Sequence, residues 1–172
     1  MRWLTEIGRN AFERPTAARI GNLSMRGHLR AWFKLGHPDR RNLLVFMVGL
    51  PLVAALLRSF GVARSQRWLA RLGGSAAPRK AGADALRAAQ RLAQLAAIAG
   101  RRGVIQAHCL PQSLLLHTLL RRRGLDPLVK MGVRTQGGRV EAHAWVVLEG
   151  VALGQGPAGF QPFEPRDSLP AG

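Results

Sequence analysis

The chain has 172 residues, enough for one domain with a proper core. A single cysteine excludes an internal disulfide framework, and five scattered histidines without Cys-x-x-Cys or His-x-x-x-His spacing exclude the usual zinc sites. Lys and Arg number 26 against 9 Asp and Glu, a formal charge of +17 that draws anionic partners; with no Tyr and no RRM, KH or zinc-finger signature, a specific nucleic-acid module is not expected.

In chain order, residues 1–41 are basic, with Trp3, Phe12, Trp32 and Phe33 as apolar anchors. Thr16 to Lys34 can form a helix, interrupted by Gly21 and Gly27. No continuous apolar run follows the first basic residues, so this segment is not a signal peptide. The most apolar stretch, LLVFMVGLPLVAALL from Leu43 to Leu57, is closed by Arg58. Its fifteen residues fall short of the roughly twenty that cross a bilayer, and Pro51 is expected to kink it. A buried helix shielding a small core is the favoured reading. Docking on a membrane surface stays open, because Arg58, Arg64, Arg67 and Arg71 follow with Trp68 among them.

Gly73 to Pro78 reads as a linker or helix break. From Asp84 as N-cap to Ala99 the chain is helical, with Leu86, Ala89, Ala93 and Ala96 as one stripe, and Gly100 to Gly103 ends it. A further helix opens near Cys109, carries Pro111 in its first turn and Leu115, Leu116, Leu119 and Leu120 inside, and places Arg121, Arg122 and Arg123 in its last turn before Gly124 at C′. The period then changes to two. Strands are expected over Leu128 to Thr135 and Val140 to Leu148, joined by a turn at Gln136 to Arg139. After a turn at Glu149-Gly150, a third short strand runs from Val151 to Gln155, and the Pro- and Gly-rich tail from Gly156 is irregular. Helices followed by a small antiparallel sheet make an α+β domain.

The chemistry gathers around Cys109 in Gln106-Ala-His-Cys-Leu-Pro-Gln-Ser113 and His143 in Glu141-Ala-His-Ala-Trp-Val146. A lone cysteine is otherwise a small buried hydrophobe, and a strand histidine a satisfied core residue. At a helix N-terminus, however, the macrodipole and unpaired N–H groups favour an anionic sulfur. The backbone amide of Cys109 would serve a developing oxyanion. His143 is the expected base. His108 ranks second, since neighbouring side chains point apart. Along the second strand Val140, Ala142, Ala144, Val146 and Leu148 read as the core face, and Glu141, His143, Trp145 and Val147 as the face bearing the site. If the 148–150 turn is a three-residue loop, residue 147 pairs with 151 and Gln155 lies opposite His143, where its amide oxygen would hold the imidazole. A two-residue turn puts Gln155 on the other face.

The run Cys109-Leu-Pro-Gln-Ser-Leu, the helix end Leu119-Leu-Arg-Arg-Arg-Gly124, Gly132-Val-Arg, Glu141-Ala-His-Ala-Trp-Val146 and Glu149-Gly150 together resemble the transglutaminase-like B proteins of lasso peptide biosynthesis. The likeness covers about residues 80–160, with a weaker echo over 43–72. It implies a transglutaminase- or papain-like core over 80–160, after a basic and apolar helical region over 1–72 and before an irregular tail over 161–172. The implied activity is a cysteine peptidase that removes the leader of a precursor peptide, with Cys109 as nucleophile, His143 as base and no metal or cofactor. In the family the third position is usually acidic; here Gln155 stands there, and Glu149 or a backbone carbonyl is the alternative. The short 1–42 segment implies the stand-alone peptidase, working in the cytoplasm with a separate leader-recognition protein and a macrolactam synthetase. A non-catalytic scaffold of a peptide-maturation complex and a basic membrane-associating protein are the competing readings.

Overall fold

The computed structural model describes residues 36–74, 77, 79–102, 109–136, 139–154, 156 and 159–162. The expected helix over Thr16 to Lys34, and with it His108 and Gln155, lies outside the described residues. Two compact units divide at Gly36 and His37, and every described element belongs to the second. These elements are α1 (His37–Leu72), α2 (Ala83–Arg102), α3 (Cys109–Arg121), β1 (Leu128–Gln136), β2 (Arg139–Leu148), β3 (Val151–Leu153) and β4 (Gln161–Pro162). Helices precede a small antiparallel sheet, as an α+β chain requires.

α1 corrects the expectation of a fifteen-residue buried helix. The helix runs on past Leu57 to a kink at Gly61 (φ 73°, ψ 174°), where a second helical segment begins, so the break falls at Gly61 and not at Pro51. Glycine alone adopts that extended positive-φ backbone cheaply, and the hydroxyl of the buried Ser65 donates to the freed Gly61 carbonyl at 2.7 Å. Only one face of α1 is buried, through Leu43, Phe46, Leu50 and Val53, which pack toward α2 and α3. The approach to α3 is close, since a Cβ on Gly49 would come within 2.7 Å of Leu115. At the start of the helix Asp39 accepts from Arg91 of α2 at 2.9 Å.

α2 begins one residue before its expected cap. The Leu86 amide donates to the Gly82 carbonyl, so Asp84 sits inside the first turn, where its carboxylate complements the helix dipole and pairs with Arg87. Ala89, Leu92, Ala93, Leu95, Ala96 and Ala99 are its buried stripe, with Leu86 half-buried at the margin. α3 closes as its sequence predicts. Gly124 has φ 73°, its amide donates to Arg121, and the Leu125 amide reaches back to Leu120, which is the Schellman pattern with Leu120 and Leu125 both buried.

The sheet order is β3-β2-β1-β4, with every pair antiparallel. β1 and β2 pair from Leu128↔Val147 to Gln136↔Arg139. At the other strands one open alternative is decided and one expectation is corrected. β3 joins β2 by the two-residue turn Glu149-Gly150, with Leu148 opposite Val151 and Val147 opposite Ala152, and both turn residues have positive φ (49° and 78°) as a type I′ turn demands. The tail is not wholly irregular: Gln161 and Pro162 form an edge strand against Val133 and Gly132 of β1. An edge is the place where a strand tolerates proline.

Candidate active site

Cys109 is the first residue of α3 and is partly exposed; Pro111, two positions on, is buried in the first turn. One turn further, the buried hydroxyl of Ser113 donates to the backbone carbonyl of Ala144 in β2 at 3.0 Å. That bond joins the turn carrying Cys109 to the strand residue next to His143. Cys109 and His143 line a single cavity of about 180 Å³, together with Gln112, Ser113, Leu116 and the β2 segment to Val146. Ala93, Ala96 and Ala97 of α2 and Leu153 and Gly154 at the end of β3 complete the lining. Small residues on α2 are what leave this space open.

His143 is in contact with two aromatic rings. Its imidazole stacks on Trp145 with centroids 6.0 Å apart and a 19° tilt, and it lies 5.0 Å from Phe160. The Arg134 guanidinium covers the Phe160 ring at 4.4 Å and is itself paired with Glu141 at 2.7 Å. Behind this stack is Gly132, directly across from His143 in the ladder. A Cβ there would come within 2.5 Å of the Gln161 carbonyl and 2.9 Å of the Trp145 ring, so only glycine lets β4 and Trp145 approach together. Phe160 and Gly132 were not among the sequence candidates. Phe160 sits in the tail expected to be irregular, and its role depends on a pairing that no local pattern announces.

The core-face expectation for β2 holds only from Ala144 onward. Ala144, Val146 and Leu148 are buried, but Val140 and Ala142 are exposed, and Trp145 on the alternate face is 3% exposed. His143 marks the point where β2 passes from solvent into the core.

The third position changes most. The two-residue turn removes the register that was to set Gln155 across from His143, and the described ladder ends at Leu153. Gln155 itself lies outside the described residues. Glu149 does not substitute: six residues along from His143, it is about 20 Å up the strand. Its carboxylate instead accepts from the Ala81 amide at 2.9 Å. The chain just before Gln155 is nonetheless well fixed. The Gln90 side chain of α2 donates to the Ala152 carbonyl and accepts from the Gly154 amide, both at 3.1 Å, which clamps β3 to α2 at the cavity rim.

Among the described residues no cluster of three His, Cys, Asp or Glu side chains is arranged to hold a metal ion. No buried side-chain nitrogen or oxygen among them lacks a hydrogen-bond partner. Away from this cavity, the His117 imidazole of α3 is lowered from the ordinary histidine value by burial and then by Arg121. A hydrogen bond to the Pro127 carbonyl and the nearby Asp126 oppose that shift without cancelling it.

A family model described as the transglutaminase-like superfamily matches residues 52–166, about two thirds of the chain and all of the cavity just described. No curated protein and no solved structure is significantly similar to the chain.

Proposed function

The chain belongs to the transglutaminase-like superfamily, which includes cysteine proteases and transglutaminases, and on that premise we propose that it is a cysteine peptidase that removes the leader from a lasso peptide precursor. The observation that carries the reading is the shared cavity of Cys109 and His143, held in register by the Ser113–Ala144 hydrogen bond. In this reading Cys109 Sγ attacks the carbonyl at the leader–core junction. The backbone N–H of Cys109, at the open end of α3, donates to the oxyanion. As the C–N bond breaks, His143 passes the thiol's proton to the departing core amine, leaving the leader as a thioester on Cys109. Water then attacks the thioester with His143 taking its proton, which releases the leader acid and restores the thiol. The stacked rings of Trp145 and Phe160 limit the imidazole's rotation and so keep it aimed during both transfers.

The free core amine is the substrate a macrolactam synthetase needs. Leader capture falls to a separate recognition protein, and the three would act together in the cytoplasm. A cavity of about 180 Å³ is in the range of an engineered apolar cavity of about 150 Å³ that takes up benzene, so it suits one bulky substrate side chain. The test is cleavage of a synthetic lasso precursor peptide, leader and core joined, with the fold of each variant checked by circular dichroism. Cys109→Ala and His143→Ala should each lower the rate by at least about 10³-fold. Undiminished cleavage by a folded Cys109→Ala protein sinks the proposal, and absence of cleavage by the wild type leaves the scaffold reading.

A further inference from the structure

The outer face of α1 is unexplained by packing among the described residues. Leu44, Val45, Val48 and Leu52 are 50%, 40%, 62% and 65% exposed. At 3.6 residues per turn they span about 100° of arc, opposite the arc of Leu43, Phe46, Leu50 and Val53. Past Gly61 the apolar exposure continues through Val62, Trp68 and Leu72, and Phe60 and Trp68 form an exposed ring pair 5.4 Å apart. Arg64, Arg67 and Arg71 are exposed on the same segment as Trp68.

We propose that α1 docks the protein on the surface of an anionic lipid bilayer, lying in the headgroup region instead of crossing it. Apolar side chains on one arc enter the acyl boundary, an aromatic pair sits at headgroup level, and arginines meet lipid phosphates. The helix does contain an 18-residue window of mean hydropathy 2.2, apolar and long enough to span. Spanning would strip Leu43, Phe46, Leu50 and Val53 from α2 and α3, because those side chains are already committed to the core. Charge selects the partner: a second copy of a +17 chain would bring like charges together, whereas an anionic bilayer neutralises them. The placement is independent of the peptidase chemistry.

The test is sedimentation of the full chain with vesicles of phosphatidylglycerol and phosphatidylcholine at equal proportions, against phosphatidylcholine alone, over a range of salt. Binding should appear on the anionic vesicles and weaken as salt rises. The exposed pair substitution Val48→Glu with Leu52→Glu should lower partitioning at least tenfold with the fold intact. Replacing Arg64, Arg67 and Arg71 by Gln should lower it about fivefold per residue. Cys109→Ala should bind like the wild type, which separates this result from the fate of the peptidase reading. The proposal is overturned if the two glutamates leave binding unchanged, if neither vesicle is bound, or if alkaline carbonate fails to extract the protein. It is equally overturned if the wild type is a dimer that the glutamates split.

Discussion

The α3–β2 contact and the outer face of α1 are finished in opposite ways. On α3 the polar groups find definite partners: Ser113 donates to the Ala144 carbonyl of β2, His117 bonds the Pro127 carbonyl ahead of β1, and Thr118 donates to the Leu114 carbonyl of its own helix. On α1 the apolar groups turn outward, and Leu44, Val48 and Leu52 are each at least half exposed. Directional bonds fix atoms to within the tolerance that proton and acyl transfer need. Exposed apolar area has no such direction; it gains free energy from whatever removes it from water. The first region is therefore read as chemistry and the second as contact.

The widest split is expected within α1 itself. Phe46 is fully buried and Phe46→Ala should cost about 3–5 kcal/mol, while Val48→Ala, on the exposed arc, should cost less than about 0.5 kcal/mol. Urea denaturation of the two variants measures the difference, and comparable losses would mean that the outer arc is covered in solution. Ser113→Ala should cost about 1–2 kcal/mol and should also lower turnover while leaving KM nearly unchanged, since it loosens the register of Cys109 and His143 and removes no substrate contact. A stability loss with turnover intact would break the link between the hydrogen bond and the site.

The smallest effect concerns pH. His117 binds its proton less well folded than unfolded, so between its lowered folded value and its ordinary value of 6.5 the unfolded chain takes up more protons. Stability should be fully present above about 6.5, fall as the pH drops through the folded value, and flatten in His117→Gln. Urea midpoints across that range provide the check. A midpoint that rises on acidification contradicts the assignment.

What could be seen in the sequence was whatever local chemistry decides. Gly124 at the end of α3 is forced by its positive φ, and the alternation from Leu128 onward gives β1 and β2. Cys109 ahead of Pro111 marks a helix start for the same reason. The failures fall where distant partners decide. Nothing near Glu149 dictates a two-residue turn, yet its choice moves the register by one residue and withdraws the argument for Gln155. Ser113 matters through a carbonyl thirty-one residues away. Phe160 matters through β4, a two-residue strand containing proline. The length of α1 was hidden because its apolar pattern closes at Arg58, whereas the helix runs on to a kink at Gly61 and a second helical segment follows to Leu72.

The central claim is that Cys109 and His143 work as one acyl-transfer site. Its most direct test is the intact mass of the protein after acid quenching during turnover of the precursor peptide. The account predicts a species heavier by the leader minus one water, mapped to Cys109 in the wild type and absent from Cys109→Ala. Release of leader by Cys109→Ala, or turnover with no adduct on Cys109 in any variant, would contradict it.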